Sequence, residues 1–166
     1  MKILVDADAC PVKKIIVRLT KPKNIPAIMI TDTSHQLGDD YSIIITVDKA
    51  PDSVDFAMMP LISVGDIVIT QDYGLAAMAL GKGAKAINQN GLIYTSDNID
   101  RLLMERHVGG KIRRSSVVLL RKTALRAPDF FRVRGGRTKG PAKRTKEDDA
   151  KFEVKFEMLL QAGVGI

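Results

Sequence analysis

Met1-Lys2-Ile3-Leu4-Val5-Asp6-Ala7-Asp8-Ala9-Cys10-Pro11 opens the chain, and the fold is read from it. The apolar run Ile3–Val5 predicts a short buried strand. It ends in two carboxylates, Asp6 and Asp8, and then in Pro11, whose fixed φ suits the first turn of a helix. In α/β sheets ligands sit at the carboxyl ends of parallel strands, so a carboxylate pair at that place is a candidate site.

Working outward, Val12–Leu19 sets apolar pairs against Lys13, Lys14 and Arg18, a helical spacing that Pro22 ends. Ile25–Ile30 predicts a second strand and Thr31–Asp40 a polar loop. Ser42–Val47 carries the β-branched run Ile43, Ile44 and Ile45 of a buried strand. Asp52 or Ser53 can cap a helix reaching about Ile62. Ile67–Thr70 predicts a further strand, Tyr73–Leu80 an Ala-rich helix closed by Gly81 and Gly83, and Ala84–Ile87 a last strand before the Asn90-Gly91 turn. Short apolar strands alternating with helices predict an α/β fold with a mainly parallel sheet covered on both faces. Right-handed crossovers then bring the strand C-termini to one edge.

A helix from Ser96 or Asp97 through Arg106 follows, stopped by Gly109-Gly110. Ser115–Leu125 has helical character, and 127–146 is a Gly/Pro/Arg-rich loop. Thr145 and Asp148 form a capping-box pattern for a final helix carrying Phe152, Phe156, Leu159 and Leu160. At 166 residues a single domain, 1–166, is expected, with 101–151 a basic segment appended to the α/β body.

Composition narrows the chemistry. With 45% hydrophobic and 27% charged residues the chain is globular in kind. No apolar run nears the ~20 residues of a membrane span, and the start goes straight into a strand, so no leader, no membrane contact and a cytoplasmic protein are expected. One cysteine excludes an internal disulfide, and His35 and His107 are too few for a zinc site. Any metal is then a hard cation held by oxygens. The net charge of +7 is divided: residues 1–100 hold 9 Lys+Arg against 12 Asp+Glu, and residues 101–151 hold 16 against 5. An acidic body with a basic appendage points to a metal in one place and a polyanion in another.

Geometry sorts the acids. Asp66 and Asp72 flank one strand six residues apart, about 20 Å at ~3.3 Å per residue, so both cannot join one site. Asp72 follows its strand, as Asp6 does; Asp66 precedes it and reads as a turn residue. Asp52 and Asp55 share a face at a helix start. Asp52 reads as a cap; Asp55, one turn in, is either a site residue or a helix-dipole partner. Asp8 either joins Asp6 or structures the entry into the helix. Carboxylates converging without bases repel one another, and Mg²⁺ or Mn²⁺ relieves this while binding phosphate and activating water. Candidate metal residues are thus Asp6, Asp8, Asp55 and Asp72, with Asp6, Asp55 and Asp72 catalytic.

For the basic segment, the candidate nucleic-acid contacts are Arg106, Arg113, Arg114, Lys139, Lys143 and Arg144. Phe130 and Phe131 alone interleave, too few for a stacking platform, so backbone phosphate contact is the expectation. Cys10 reads as a packing residue. His107 reads as a surface or phosphate contact, His35 as a loop residue, and Gly81-x-Gly83 as a helix stop.

Taken together, these residues resemble the YaiI/YqxD family of uncharacterised bacterial proteins. The resemblance lies in Val5-Asp6-Ala7-Asp8-Ala9-Cys10-Pro11, Asp52-x-x-Asp55 and Gly65-Asp66-Ile67-Val68-Ile69-Thr70-Gln71-Asp72 with Leu75-Ala76. It continues through Gly91, Tyr94-Thr95, Asn98-Ile99, Arg106, Gly140-Pro141 and Asp148…Phe152. Many members carry Ile-Pro after the acid, where Tyr73-Gly74 stands here. The family looks like a branch of the PIN-like nucleases. That resemblance implies a three-layer α/β/α fold and Mg²⁺- or Mn²⁺-dependent hydrolysis of phosphodiester bonds in RNA or DNA, RNA first. Carried over by position, Asp6 is the first-strand acid, Asp55 the helix acid and Asp72 the later-strand acid, with Asp8 in support. Two alternatives stand beside it. Asp6-x-Asp8 after a strand also resembles a haloacid-dehalogenase-type phosphatase, with Asp6 the nucleophile and Asp8 the general acid, although no later Asp-Asp pair or lysine motif follows. The other is a non-catalytic RNA-binding module.

Overall fold

A computed structural model describes residues 1–8, 10–33, 38–108 and 143–164. Six strands form one sheet: β1 (Ile3–Asp6), β2 (Ala27–Asp32), β3 (Ile43–Val47), β4 (Ile67–Ile69), β5 (Lys85–Ile87) and β6 (Ile93–Tyr94). Their spatial order is β3-β2-β1-β4-β5-β6, parallel except for the β5–β6 hairpin. The helices are α1 (Lys13–Thr20), α2 (Ser53–Met58), α3 (Tyr73–Gly81), α4 (96–108) and α5 (Lys146–Val164). The result is the expected α/β fold, three layers with a mainly parallel central sheet.

Side-chain parity along each strand makes the layers. Ile3 and Val5 of β1 and Ile67 and Ile69 of β4 point to one face, under α1 and α5, where Ile16, Phe152, Phe156 and Leu160 are buried. Leu4 and Val68 point to the other, against Val54 and Met58 of α2, Leu75, Ala76 and Ala79 of α3, and Ile99 of α4. The central strands read as continuous apolar runs because both faces are covered.

The topology also places a crevice. From β1 the chain builds outward through β2 and β3, then crosses back to lay β4 and β5 on the other side of β1. The strand order therefore reverses between β1 and β4, and ligands of open α/β sheets bind outside the C-terminal ends at such a switch point.

Element ends depart from the sequence reading where tertiary contacts intervene. Strand β2 continues two residues past Ile30, because Thr31 and Asp32 pair with Thr46 and Val47 of β3. The helix expected to reach Ile62 tightens into a 3-10 turn at Met59–Leu61, with Pro60 inside it. Asp52 stands at the N-cap of α2 in a left-handed conformation (φ 58°), and its side chain caps nothing. The capping role expected of it is therefore absent. At α5 the box is present: Thr145 N–H donates to Asp148 Oδ2 at 2.9 Å, and Asp148 N–H donates to Thr145 Oγ1 at 3.3 Å. Strand β6 was not expected. Asn88 Oδ1 accepts from the N–H groups of Asn90 and Leu92 at 2.8 and 2.9 Å and so closes its turn. A Cβ on Gly91 would lie 2.9 Å from the Lys151 carbonyl oxygen, so only glycine lets this turn rest on α5. Ser115–Leu125, most of 127–146, and His35 lie outside the described residues. No described helix is long and apolar enough to cross a membrane.

Candidate active site

At the switch point the ends of β1 and β4 stand side by side. Val5 pairs in register with Ile69, so Asp6 faces Thr70 across the next step. The Thr70 hydroxyl donates to Asp6 Oδ2 at 3.0 Å and accepts the Asp72 N–H at the same distance. One side chain thus ties the Asp6 carboxylate to the main chain of Asp72. Thr70 has no role in the sequence reading beyond its place in a motif. The available signal was parity: Thr70 stands two residues after Val68 as Asp6 stands two after Leu4, so both take the same face, although their adjacency depends on strand order.

Asp72 caps α3. Its Oδ1 accepts from Gly74 N–H at 2.6 Å and Leu75 N–H at 3.1 Å, leaving Oδ2 turned outward. Arg106, from α4, donates to that Oδ2 at 2.8 Å and stands 6.0 Å from the centre of the Tyr73 ring. Burial acts upward on the Asp72 carboxyl, but the Arg106 bond and the two backbone N–H groups outweigh it and hold it below the usual carboxylate range.

Asp6 and Asp55 move the other way. Burial pushes Asp6 up, opposed by the Thr70 bond and helped by the charges of Asp8 and Asp72. Half-buried Asp55, in the first turn of α2, is pushed up to about 6, first by burial and then by Asp72, Asp6 and Asp52. Burial is the larger cause of both shifts, and the neighbouring carboxylates add repulsion to it. Asp8 lines the same cleft as Asp6, with Thr70, Gln71, Gln89 and Cys10. Its Oδ1 accepts from the Thr31 hydroxyl at 2.7 Å and Asp32 N–H at 2.9 Å, so it also staples the end of β2. Burial pushes the Cys10 thiol up, which favours the unreactive thiol over the thiolate.

The basic candidates divide. Arg106 lies on Asp72. Arg144 is folded inward: its guanidinium donates to Asp149 Oδ1, Asn90 Oδ1, and the Gln89 and Asp148 carbonyls, clamping the β5–β6 turn to the start of α5. Lys143 is exposed. Arg113, Arg114 and Lys139 lie outside the described residues. Asp66, at the opposite end of β4, accepts from Lys2 N–H, Lys2 Nζ and Ser63 N–H at 2.9, 2.6 and 2.9 Å.

The donor set, oxygen only and mutually repelling, suits a hard cation. Among the described residues no group of three or more His, Cys, Asp or Glu is gathered closely enough to hold a metal ion. What fits is Mg²⁺ or Mn²⁺ on one or two carboxylates, the remaining positions filled by water and substrate oxygens.

A family model described as "Uncharacterized BCR, YaiI/YqxD family" matches residues 4–162. The chain belongs to that family. Its relatives include a "UPF0178 protein" of Ruminiclostridium cellulolyticum, 58% identical over 97% of this chain and 93% of that one. Further UPF0178 proteins among them are from Lachnoclostridium phytofermentans (51% identical; 98% of each chain) and Clostridium acetobutylicum (48% identical; 98% of this chain, 99% of that one). No solved structure matches. The match spans both the α/β body and the final helix, so the Asp6–Thr70–Asp72 arrangement lies wholly within the family's stretch.

Proposed function

We propose that this protein is a divalent-metal-dependent nuclease that hydrolyses phosphodiester bonds, RNA being the expected substrate. The observation that carries the reading is the Thr70 bridge, which links the Asp6 carboxylate to the Asp72 main chain at the sheet's switch point. In support, Asp55 adds a third carboxylate to the same electrostatic neighbourhood, and the chain carries 16 cations in residues 101–151 for a polyanion.

Asp6 and Asp72 would hold the cation, with Asp55 in support. The bound metal would supply a water acidic enough to attack near neutral pH, together with charge for the phosphoryl oxygens. The chain's own residues do the positioning. The cap of α3 fixes the Asp72 carboxylate before any ligand arrives, and Thr70 fixes Asp6. With its carboxyl pushed up to about 6, Asp55 is protonated in acid, which opposes cation capture there. Arg106, Lys143 and the other cations of 101–151, the inward-folded Arg144 excepted, would grip the backbone without reading sequence.

The test is cleavage of single-stranded RNA and DNA oligonucleotides with Mn²⁺ or Mg²⁺, with and without chelator, by wild type, Asp6→Asn and Asp72→Asn. At Asp72 asparagine keeps an oxygen for the α3 cap, and at Asp6 it keeps an acceptor for the Thr70 hydroxyl, so both variants are expected to fold. Each variant should lose cleavage by at least about 10²-fold while still binding the oligonucleotide. Binding without cleavage under any divalent metal would favour the non-catalytic module, and an aspartyl-phosphate trapped at Asp6 would favour the phosphatase.

A further inference from the structure

Asp72 offers its two oxygens to different partners. Oδ1 is committed to the backbone N–H groups of Gly74 and Leu75, so the carboxylate keeps its orientation whatever else binds. Oδ2 faces outward, and the group holding it is the Arg106 guanidinium. That contact joins distant segments, since Arg106 comes from α4, 34 residues along the chain. The two side chains are 57% and 32% exposed, and ion pairs open to water in this way are weak and exchange readily. Arg106 also lies over the Tyr73 ring, which keeps the guanidinium beside the site when it lets go of the carboxylate.

We propose that Arg106 is a built-in counter-ion of the site: it occupies the Asp72 oxygen that a divalent cation requires, and passes to a substrate phosphate when the cation takes its place. The inference rests on the metal-dependent reading. It adds a coupling which that reading does not contain. Without metal, Arg106 neutralises Asp72 and is spent. With metal bound, Asp72 is neutralised by the ion, and the guanidinium is released at the mouth of the crevice, where its planar fork suits a phosphodiester. Metal and polyanion then strengthen each other's binding, and by linkage the strengthening is the same in both directions.

The test measures binding, not turnover. Mn²⁺ affinity is followed by electron paramagnetic resonance, and affinity for a single-stranded phosphorothioate oligonucleotide by fluorescence anisotropy with and without Mn²⁺, in wild type and Arg106→Gln. Thermal melts check that the half-exposed substitution leaves the fold intact. Arg106→Gln should bind Mn²⁺ about two- to fivefold more tightly, the competitor being gone. In wild type Mn²⁺ should strengthen oligonucleotide binding, and in Arg106→Gln that gain should vanish. Equal or weaker Mn²⁺ binding by Arg106→Gln overturns the inference and leaves the metal reading standing, as does a gain that persists in the variant. Failure of both proteins to bind Mn²⁺ overturns the metal reading itself, and the inference with it.

Discussion

The two ends of β4 carry the same residue type to opposite fates. Asp66 precedes the strand, with its side chain 4% exposed, and is matched by the Lys2 ammonium and two backbone N–H groups. Asp72 follows it, 32% exposed, with one oxygen on a helix start and the other on an arginine open to solvent. A buried acid with every oxygen answered has nothing left for a ligand, and removing it leaves its partners uncompensated. A half-exposed acid whose outer partner can leave is fixed in place and still available. The arginines repeat the contrast: Arg144 is clamped by four protein groups, whereas Arg106 makes one exchangeable ion pair.

This contrast can be broken at the buried end first. Asp66→Ala should cost about 3 kcal/mol, seen as a fall in Tm of roughly 6–12 °C, because the Lys2 charge and two N–H groups lose their acceptor. Mn²⁺ affinity of the folded protein should not change. A variant that melts like wild type would dissolve the distinction. Next in size, Arg144→Ala should lower stability by about 1–2 kcal/mol, or roughly 2–8 °C, with oligonucleotide affinity held within about twofold. A large loss of affinity at unchanged Tm would return Arg144 to the nucleic-acid interface.

The smallest effect is at Asp55. Its carboxyl is raised from 3.8 to about 6, so the folded state holds the proton more tightly than the unfolded chain. The stability this contributes is present below about pH 4 and is lost as pH rises through about 6. Asp55→Asn should therefore melt higher than wild type at pH 7.5, by about 1–3 °C given solvent screening, and the difference should close in acid. Saturating Mn²⁺ should shrink the same difference in part, by relieving the repulsion from Asp72 and Asp6 that adds to burial.

Much of this was legible along the chain. Ile3–Val5, Ile67–Thr70 and Ala84–Ile87 announced strands by apolar density, and Phe152, Phe156 and Leu160 announced the buried stripe of α5 by spacing. The separation of Asp66 from Asp72 follows from strand length alone. Strand β6 escaped because two residues are too few for periodicity to mark. The cap assigned to Asp52 failed because its backbone took a left-handed conformation, which turns the side chain away from the N–H groups it would accept from. Arg144 was read as a nucleic-acid contact because it stands in a basic run; its partners at Asn90 and Gln89 lie 54 and 55 residues earlier.

By itself the sequence determined which segments are strands and helices, which side chains each must bury, and which acids stand at strand ends. Those are local properties, settled by periodicity and by the length of chain between residues. Tertiary structure alone decided that β1 and β4 are neighbours in the register that sets Thr70 against Asp6, 64 residues apart. It alone laid Arg106 on Asp72 and folded Arg144 inward. Pairings of this kind depend on strand order and helix packing, which no local pattern encodes, and they separate an acid that stabilises the fold from one that is offered to a ligand.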